Sequence, residues 1–304
     1  MGSLSPQELS ACLLYATEWL DGESHLAALK HRQQLVQAWG VPRGASVLEI
    51  GPGQGELTVV LADAVGAQGR VVAVDNAPLE WGTPDYASSQ AHVLSSTVGH
   101  QISFVQAEPT VYLAEGAGGQ TFDFIVFGYS IWYFSAPDIL ARTLREARQH
   151  VLHGVLVAEH SLLAPLPAQV PHVLAALADN ALESFRGEES KRNIRCALSP
   201  RQITRLAAEA GWVLVKEQLA TPLQKQVDGR MEVRMVVKSR LFRGDLDAVV
   251  SRVDAKVGTM LQSMVDAVAA SVEILETGLD GVQNMDVWIA RFEKETRIEP
   301  QVRD

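Results

Sequence analysis

The sequence predicts an α/β fold: a seven-stranded, mostly parallel sheet with helices on both faces, a helical cap before it and a helical insertion ahead of the last strand. Three observations carry this. Short apolar runs alternate with amphipathic stretches between residues 43 and 220. Most of those runs are continuously apolar, as strands buried on both faces must be. The first, "VLEI", passes straight into "GPGQGEL", a glycine-rich turn that opens a helix.

The elements follow in order. Residues 7–39 read as helix: Leu9, Leu13, Ala16 and Leu20 keep helical spacing, and Leu26, Leu29, Gln33 and Val36 resume it after Asp21-Gly22. Val47–Ile50 is a strand and Glu56–Val65 a helix closed by Gly66. "RVVAVD" is a second strand, residues 85–98 a helix, "ISFVQ" a third strand and "FDFIVF" a fourth. Ser135-Ala-Pro-Asp138 has a capping-box spacing and opens a helix through His150. "GVLVAEH" is a fifth strand, and residues 172–190 a helical excursion. In "LSPRQITRLAAEAGW", Ser199 caps, Pro200 takes the first position, Gln202 closes the box and Gly211 ends the helix. "WVLVKEQL" is a sixth strand, and residues 230–240 fit strand or helix. Residues 245–276 carry one apolar stripe, from Leu246 and Val249 to Val272 and Leu275, and predict a single long helix before a last strand in "MDVWIARF". The expected units are a cap (1–42), the sheet core (43–220), the insertion (221–284), and the last strand and tail (285–304).

Twenty-six Lys and Arg against 36 Asp and Glu give a net charge of −10 at pH 7. That balance argues against a protein that grips nucleic acid or anionic lipid. "KRNIR" at 191–195 is the densest basic run and reads as a solvated face. Two cysteines, Cys12 and Cys196, make no disulfide framework or metal motif, and both are expected as free thiols. No apolar run reaches the length of a membrane span. No signal peptide is evident, and Pro6 spoils a myristoylation pattern at "MGSLSP". The expectation is a cytoplasmic monomer or homodimer that binds neither membrane nor nucleic acid.

The glycine turn decides the ligand class. Gly51, Gly53 and Gly55 let the main chain approach a ligand at a helix N-terminus. The dinucleotide fingerprint needs a glycine where Glu56 stands, and a phosphate-binding Walker loop needs a lysine that is missing. Glu49 beside the turn repels a pyrophosphate and favours an ammonium or sulfonium. Asp75, twenty residues beyond Gly55, can accept both hydroxyls of a ribose. A ribose, a positive charge and no phosphate describe S-adenosylmethionine.

"VLEIGPGQG" followed by "VVAVD" resembles the first two motifs of the class I, Rossmann-like S-adenosylmethionine-dependent methyltransferases. With its helical insertion before "MDVWIARF", the chain looks most like fungal small-molecule methyltransferases of secondary metabolism. The resemblance implies that Gly51, Gly53 and Gly55 pass under the methionine end and Glu49 lies near the amino group. It places Asp75 on the ribose, Asn76 beside the adenine, and Glu108, where the family usually has Asp, on the adenine amino group. "GYSIWYF" after the fourth strand should then face the methyl group.

Methyl transfer needs alignment and removal of water, and a base only for a protonated nucleophile. Tyr129 is expected at the reacting centre, with His160, at the end of the fifth strand, as a base for a hydroxyl, thiol or amine. Trp132, Tyr133 and Trp19 are expected to line the acceptor pocket and Tyr15 to close over the cofactor, although ordinary packing competes for each aromatic. Met231, Met235, Met260 and Met264 at helical spacing favour packing over pocket lining. His150 and His153 straddle a helix end, and no metal site is expected. The predicted activity is methyl transfer to O, N or S of a small molecule. The rivals are a non-methylating relative, either pericyclase-like or a ligand binder, and a nicotinamide oxidoreductase.

Overall fold

The computed structural model describes residues 3–15, 17, 21–186, 190 and 192–295. Seven strands, β1 (Ser46–Ile50), β2 (Arg70–Asp75), β3 (Ile102–Gln106), β4 (Phe122–Gly128), β5 (Val151–His160), β6 (Trp212–Ala220) and β7 (Val287–Lys294), form one sheet in the order β3-β2-β1-β4-β5-β7-β6. β1 to β5 pair in parallel. β7 runs antiparallel to both β5 and β6. The order of strand addition reverses between β1 and β4, and open α/β sheets bind ligands in the crevice at such a point, beyond the carboxyl ends of the strands.

Eleven helices are described: α1 (Pro6–Ser10), α2 (Gly22–Trp39), α3 (Glu56–Val65), α4 (Tyr86–Ser95), α5 (Pro109–Ala114), α6 (Pro137–His150), α7 (Val170–Glu183), α8 (Pro200–Glu209), α9 (Asp228–Lys238), α10 (Arg240–Val250) and α11 (Ala255–Glu273). Alternation along each strand sorts the core into two layers. Leu48, Ile50, Val72 and Val74 face α5, α6 and α8 through Leu113, Leu140, Leu144 and Ile203. Val47 and Val71 face α1 to α4 through Leu9, Leu35, Leu61 and Val93. α7, α9, α10 and α11 share a third core around Leu182, Val233, Phe242, Leu246 and Val268. The insertion therefore carries its own apolar centre, docked on α7.

Local chemistry sets the boundaries. Gly66 closes α3 at a positive φ of +68°, and Ser199 and Gln202 form the reciprocal capping box of α8. Several expectations need correction. Among the described residues, the N-terminal stretch is helical at Pro6–Ser10 and again from Gly22, where the Asp21 side chain accepts from Ser24 N–H and caps α2. Ser135 does not cap α6: Ala136 takes that place with no side-chain bond, and Pro137 sets the start. The stretch at 230–240, open to strand or helix by sequence, is helix over Asp228–Lys238. The excursion at 172–190 is α7, ending at Glu183. The long helix at 245–276 is two, because Asp254 caps a new start at Ala255. Met231, Met235 and Met260 are exposed rather than packed, and Met264 alone of the four joins the insertion core. Cys12 and Cys196 are free thiols. Arg192 bonds Asp245 at 2.8 Å and Arg195 lies 3.6 Å from Glu183, so both arginines of the basic run are paired with acids. No helix among the described residues is long and apolar enough to cross a membrane.

Candidate active site

The turn from β1 into α3 puts Gly51, Gly53 and Gly55 at φ +74°, +54° and +96°, a region that side chains with a Cβ rarely adopt. A Cβ on Gly51 would lie 2.6 Å from Cβ of Ser130, so this glycine lets the turn press against the loop after β4. A Cβ on Gly53 would meet only the Tyr86 hydroxyl, at 3.9 Å, so this part of the turn faces open space. Asp75 pins the turn from the next strand. Its carboxylate accepts from Ala77 N–H at 2.9 Å and from Gly53 N–H at 3.4 Å. Burial nevertheless pushes the Asp75 carboxyl above the usual range. Beyond it the Asn76 amide donates to the Glu108 carboxylate at 2.6 Å, which ties the ends of β2 and β3 together.

Glu49 is 1 % exposed, and its Oε2 has no hydrogen-bond partner. Burial pushes it up to about 7, with Thr58 and Arg32 pulling the other way. An unpartnered buried carboxyl beside bare main chain is the group a cation would satisfy. The fit to S-adenosylmethionine rests on these features: an open glycine backbone, a ribose-competent Asp75 and a Glu49 in want of positive charge.

The second half of the site lies at the ends of β4 and β5. Tyr129 sits at φ +59°, strained for a residue with a bulky side chain, and its N–H donates to Ala158 O at 2.8 Å. Its hydroxyl lies 2.5 Å from His31 Nε2. Burial holds His31 down at about 4 and pushes the Tyr129 hydroxyl far up, so the pair is neutral. The His160 ring lies 5.1 Å from the rings of both Tyr129 and Trp132. Its Nδ1 is buried without a partner, and burial, then His172 beside it, hold it down at about 4. Trp132 is buried and spends its indole N–H on Leu198 O. Tyr133 keeps 52 % of its surface accessible, yet desolvation raises its hydroxyl strongly.

Tyr15 stacks on His25, with ring centroids 4.0 Å apart. His25, Arg32, Glu56 and Asp228 line a cavity of about 60 Å³, and Tyr15 lines an open depression of about 600 Å³. None of the three loop glycines lines either void. Trp19 lies outside the described residues. His153 contacts Asp123 at 3.3 Å, at the opposite end of β5 from His160.

Sequence reasoning missed His31, Arg32, His172, Asp228, Glu232 and Asn284. Asn284 accepts from Gly229 N–H at 2.7 Å and donates to Asp228 at 2.9 Å, while Met285 N–H donates to His172 Nδ1 at 2.9 Å. Burial works against ionisation of Asp228, but Arg32, Asn284 and the two histidines outweigh it and hold its pKa down. His31 and Arg32 were discoverable as polar residues on the inward side of α2. The others carry no local signal.

Known proteins place this chain in a family. The family described as "Methyltransferase domain" matches residues 23–217. Methyltransferase phomM' of Diaporthe leptostromiformis is 27 % identical over 293 residues, covering 83 % of this chain and 74 % of its own. Methyltransferase phomM of the same fungus is 27 % identical over 298 residues, with the same shares. A cyclopropane-fatty-acyl-phospholipid synthase-like protein from Lactobacillus casei shares the fold with a TM-score of 0.73 at 22 % identity, over 95 % of this chain and 98 % of that one. With a family match spanning more than half of its length, built around a phosphate-hostile glycine turn and a ribose-competent acid, the chain belongs to the class I S-adenosylmethionine-dependent methyltransferases.

Proposed function

We propose that the enzyme moves the methyl group to an oxygen, nitrogen or sulfur atom of a small organic acceptor. The carrying observation is the contact of Gly51 with Ser130, which sets the cofactor turn directly against the loop bearing Tyr129, Trp132 and Tyr133. Bound S-adenosylmethionine supplies a methyl already activated by its sulfonium. Asp75 would hold the ribose, Glu49 the cationic end, and Asn76 and Glu108 the adenine edge. Tyr129, Tyr133 and His160 would align the acceptor and exclude water, the main tasks in an in-line displacement.

His160 is neutral above about pH 4 and can accept a hydrogen bond from the nucleophile. The negative net charge supports a free small molecule as acceptor and neither nucleic acid nor membrane as partner. The fungal relatives support a place in secondary metabolism, and the expectation of a cytoplasmic monomer or homodimer stands with this reading.

The test is a screen of hydroxyl, thiol and amine acceptors, with an unsaturated fatty-acyl phospholipid included, read by mass as the gain of one methyl. Transfer to a heteroatom is expected. Transfer only to the acyl chain, or binding of S-adenosylmethionine with no transfer to any acceptor, would overturn the reading.

A further inference from the structure

The acceptor side holds three groups that the reading above leaves unassigned or underused. One ligand atom each from His160, His172 and Glu232 lie within 4.8 Å of one another. Such a trio suggests a metal, but the hydrogen bonds favour a proton. A backbone N–H can only donate, so the 2.9 Å bond from Met285 N–H leaves His172 Nδ1 as acceptor. In the neutral ring the proton is then on Nε2, donated to Glu232 Oε2 at 2.9 Å. A metal on Nε2 would demand an imidazolate or the loss of the Met285 bond.

The same geometry selects among the acids. Glu159 is 1 % exposed, and its two oxygens accept from His160 N–H at 3.0 Å and Ile131 N–H at 3.1 Å. Asp228 is engaged by Asn284. Glu232 is 26 % exposed, with Oε2 on His172, and Oε1 accepts no bond among the described residues. Its approach is built in. A Cβ on Gly229, one turn earlier on α9, would lie 2.6 Å from His172 Nδ1, so the glycine lets α9 come close enough for Glu232 to reach the ring. The buried, unpartnered Nδ1 of His160 marks the adjoining space as one that a polar ligand completes.

We infer that Glu232 takes the acceptor's proton and that His172 positions it, an inference that rests on the methyl-transfer reading. As the bond from the nucleophile to the methyl carbon forms, the sulfur–carbon bond breaks with its electron pair remaining on sulfur. The proton of the nucleophile passes to Glu232 Oε1. His160 on β5 and His172 on α7 lie beside Glu232, its charge reaches Asp179 on α7, Glu159 on β5 and Tyr133 after β4, and Asp228 lies one turn earlier on α9.

The experiment compares the full-length enzyme with Glu232→Gln and His172→Gln, using the acceptor that the mass screen selects. Glu232→Gln should lower kcat about 100-fold or more with KM within about threefold, and should remove the acid limb of the pH profile. Calorimetry should give S-adenosylmethionine the same Kd in both. His172→Gln should lower kcat about tenfold and keep that limb, and Glu232→Asp should restore part of the rate. Nitrogen NMR of labelled histidine should show His172 protonated on Nε2. Wild-type kcat and pH profile in Glu232→Gln, a His172 protonated on Nδ1, or stoichiometric Zn²⁺ binding lost in the variant would each overturn the inference. A wild-type enzyme that binds no S-adenosylmethionine or transfers no methyl defeats the methyl-transfer reading instead.

Discussion

The two halves of the site are made differently. The proposed cofactor half is compact in sequence: Glu49, Gly51, Gly53, Gly55, Asp75, Asn76 and Glu108 sit at or just beyond successive strand ends, with Asp75 held by two backbone N–H groups and Asn76 bonded to Glu108. The proposed acceptor half draws on α2, the loop after β4, β5, α7, α9 and residues 284–286, and is held by bonds between segments far apart in sequence. A shared cofactor demands the first and an individual acceptor the second. The halves should accordingly fail in different ways when mutated.

The largest effect is expected at their junction. Gly51→Val adds a branched side chain at φ +74°, against Cβ of Ser130 2.6 Å away. Left-handed strain and overpacking together should cost about 2–4 kcal/mol. S-adenosylmethionine binding should weaken at least about 100-fold by calorimetry, alongside a lowered Tm. Wild-type affinity in this variant would mean the turn is not the cofactor's cradle.

Next, Gly229→Ala should break the acceptor half alone. The added Cβ, 2.6 Å from His172 Nδ1, must push α9 away and part Glu232 from His172. Turnover should fall roughly 10- to 30-fold with cofactor affinity unchanged, at a stability cost of about 1–3 kcal/mol. Equal loss of both would show that the halves are one cooperative unit.

A middle-sized effect concerns pH. Glu49, raised to about 7 by burial, is half protonated at neutrality. A cation is favoured only by its ionised form, so binding should expel the proton and tighten as pH rises. Between pH 6 and 8 the affinity should improve about tenfold from this group. Glu49→Gln should lose that part of the dependence. An unchanged slope would remove Glu49 from the cationic end. The smallest effect is expected for Asn76→Ala. This side chain is exposed and already bonded to Glu108, so its loss should weaken cofactor binding only two- to threefold.

The same contrast explains what could be read from sequence. The strands, the glycine turn and α8 are legible because their signals are local: continuous apolar runs, a cap, a proline at the first position. The break between α10 and α11 was hidden because the apolar stripe runs through it. Its marks are Asp254 as a cap and Gly258, whose Cβ would come within 3.2 Å of Val250. At α6 the capping spacing was present one residue too early, and the rigid ring of Pro137 decided the start. His172 and Glu232 stand 60 positions apart and meet only because Gly229 and Asn284 bring two helices and a strand entry together. No spacing rule reaches that far.

β7 has a consequence for the order of assembly. It comes after every other strand in the chain, yet it lies inside the sheet, and β6 has no neighbour but β7. During synthesis β1 to β5 can pair as they leave the ribosome, while β6 waits at an unfilled edge. Met285, whose amide sets the tautomer of His172, is made just ahead of β7. A nascent chain could thus hold its methyl donor before it is equipped to release it.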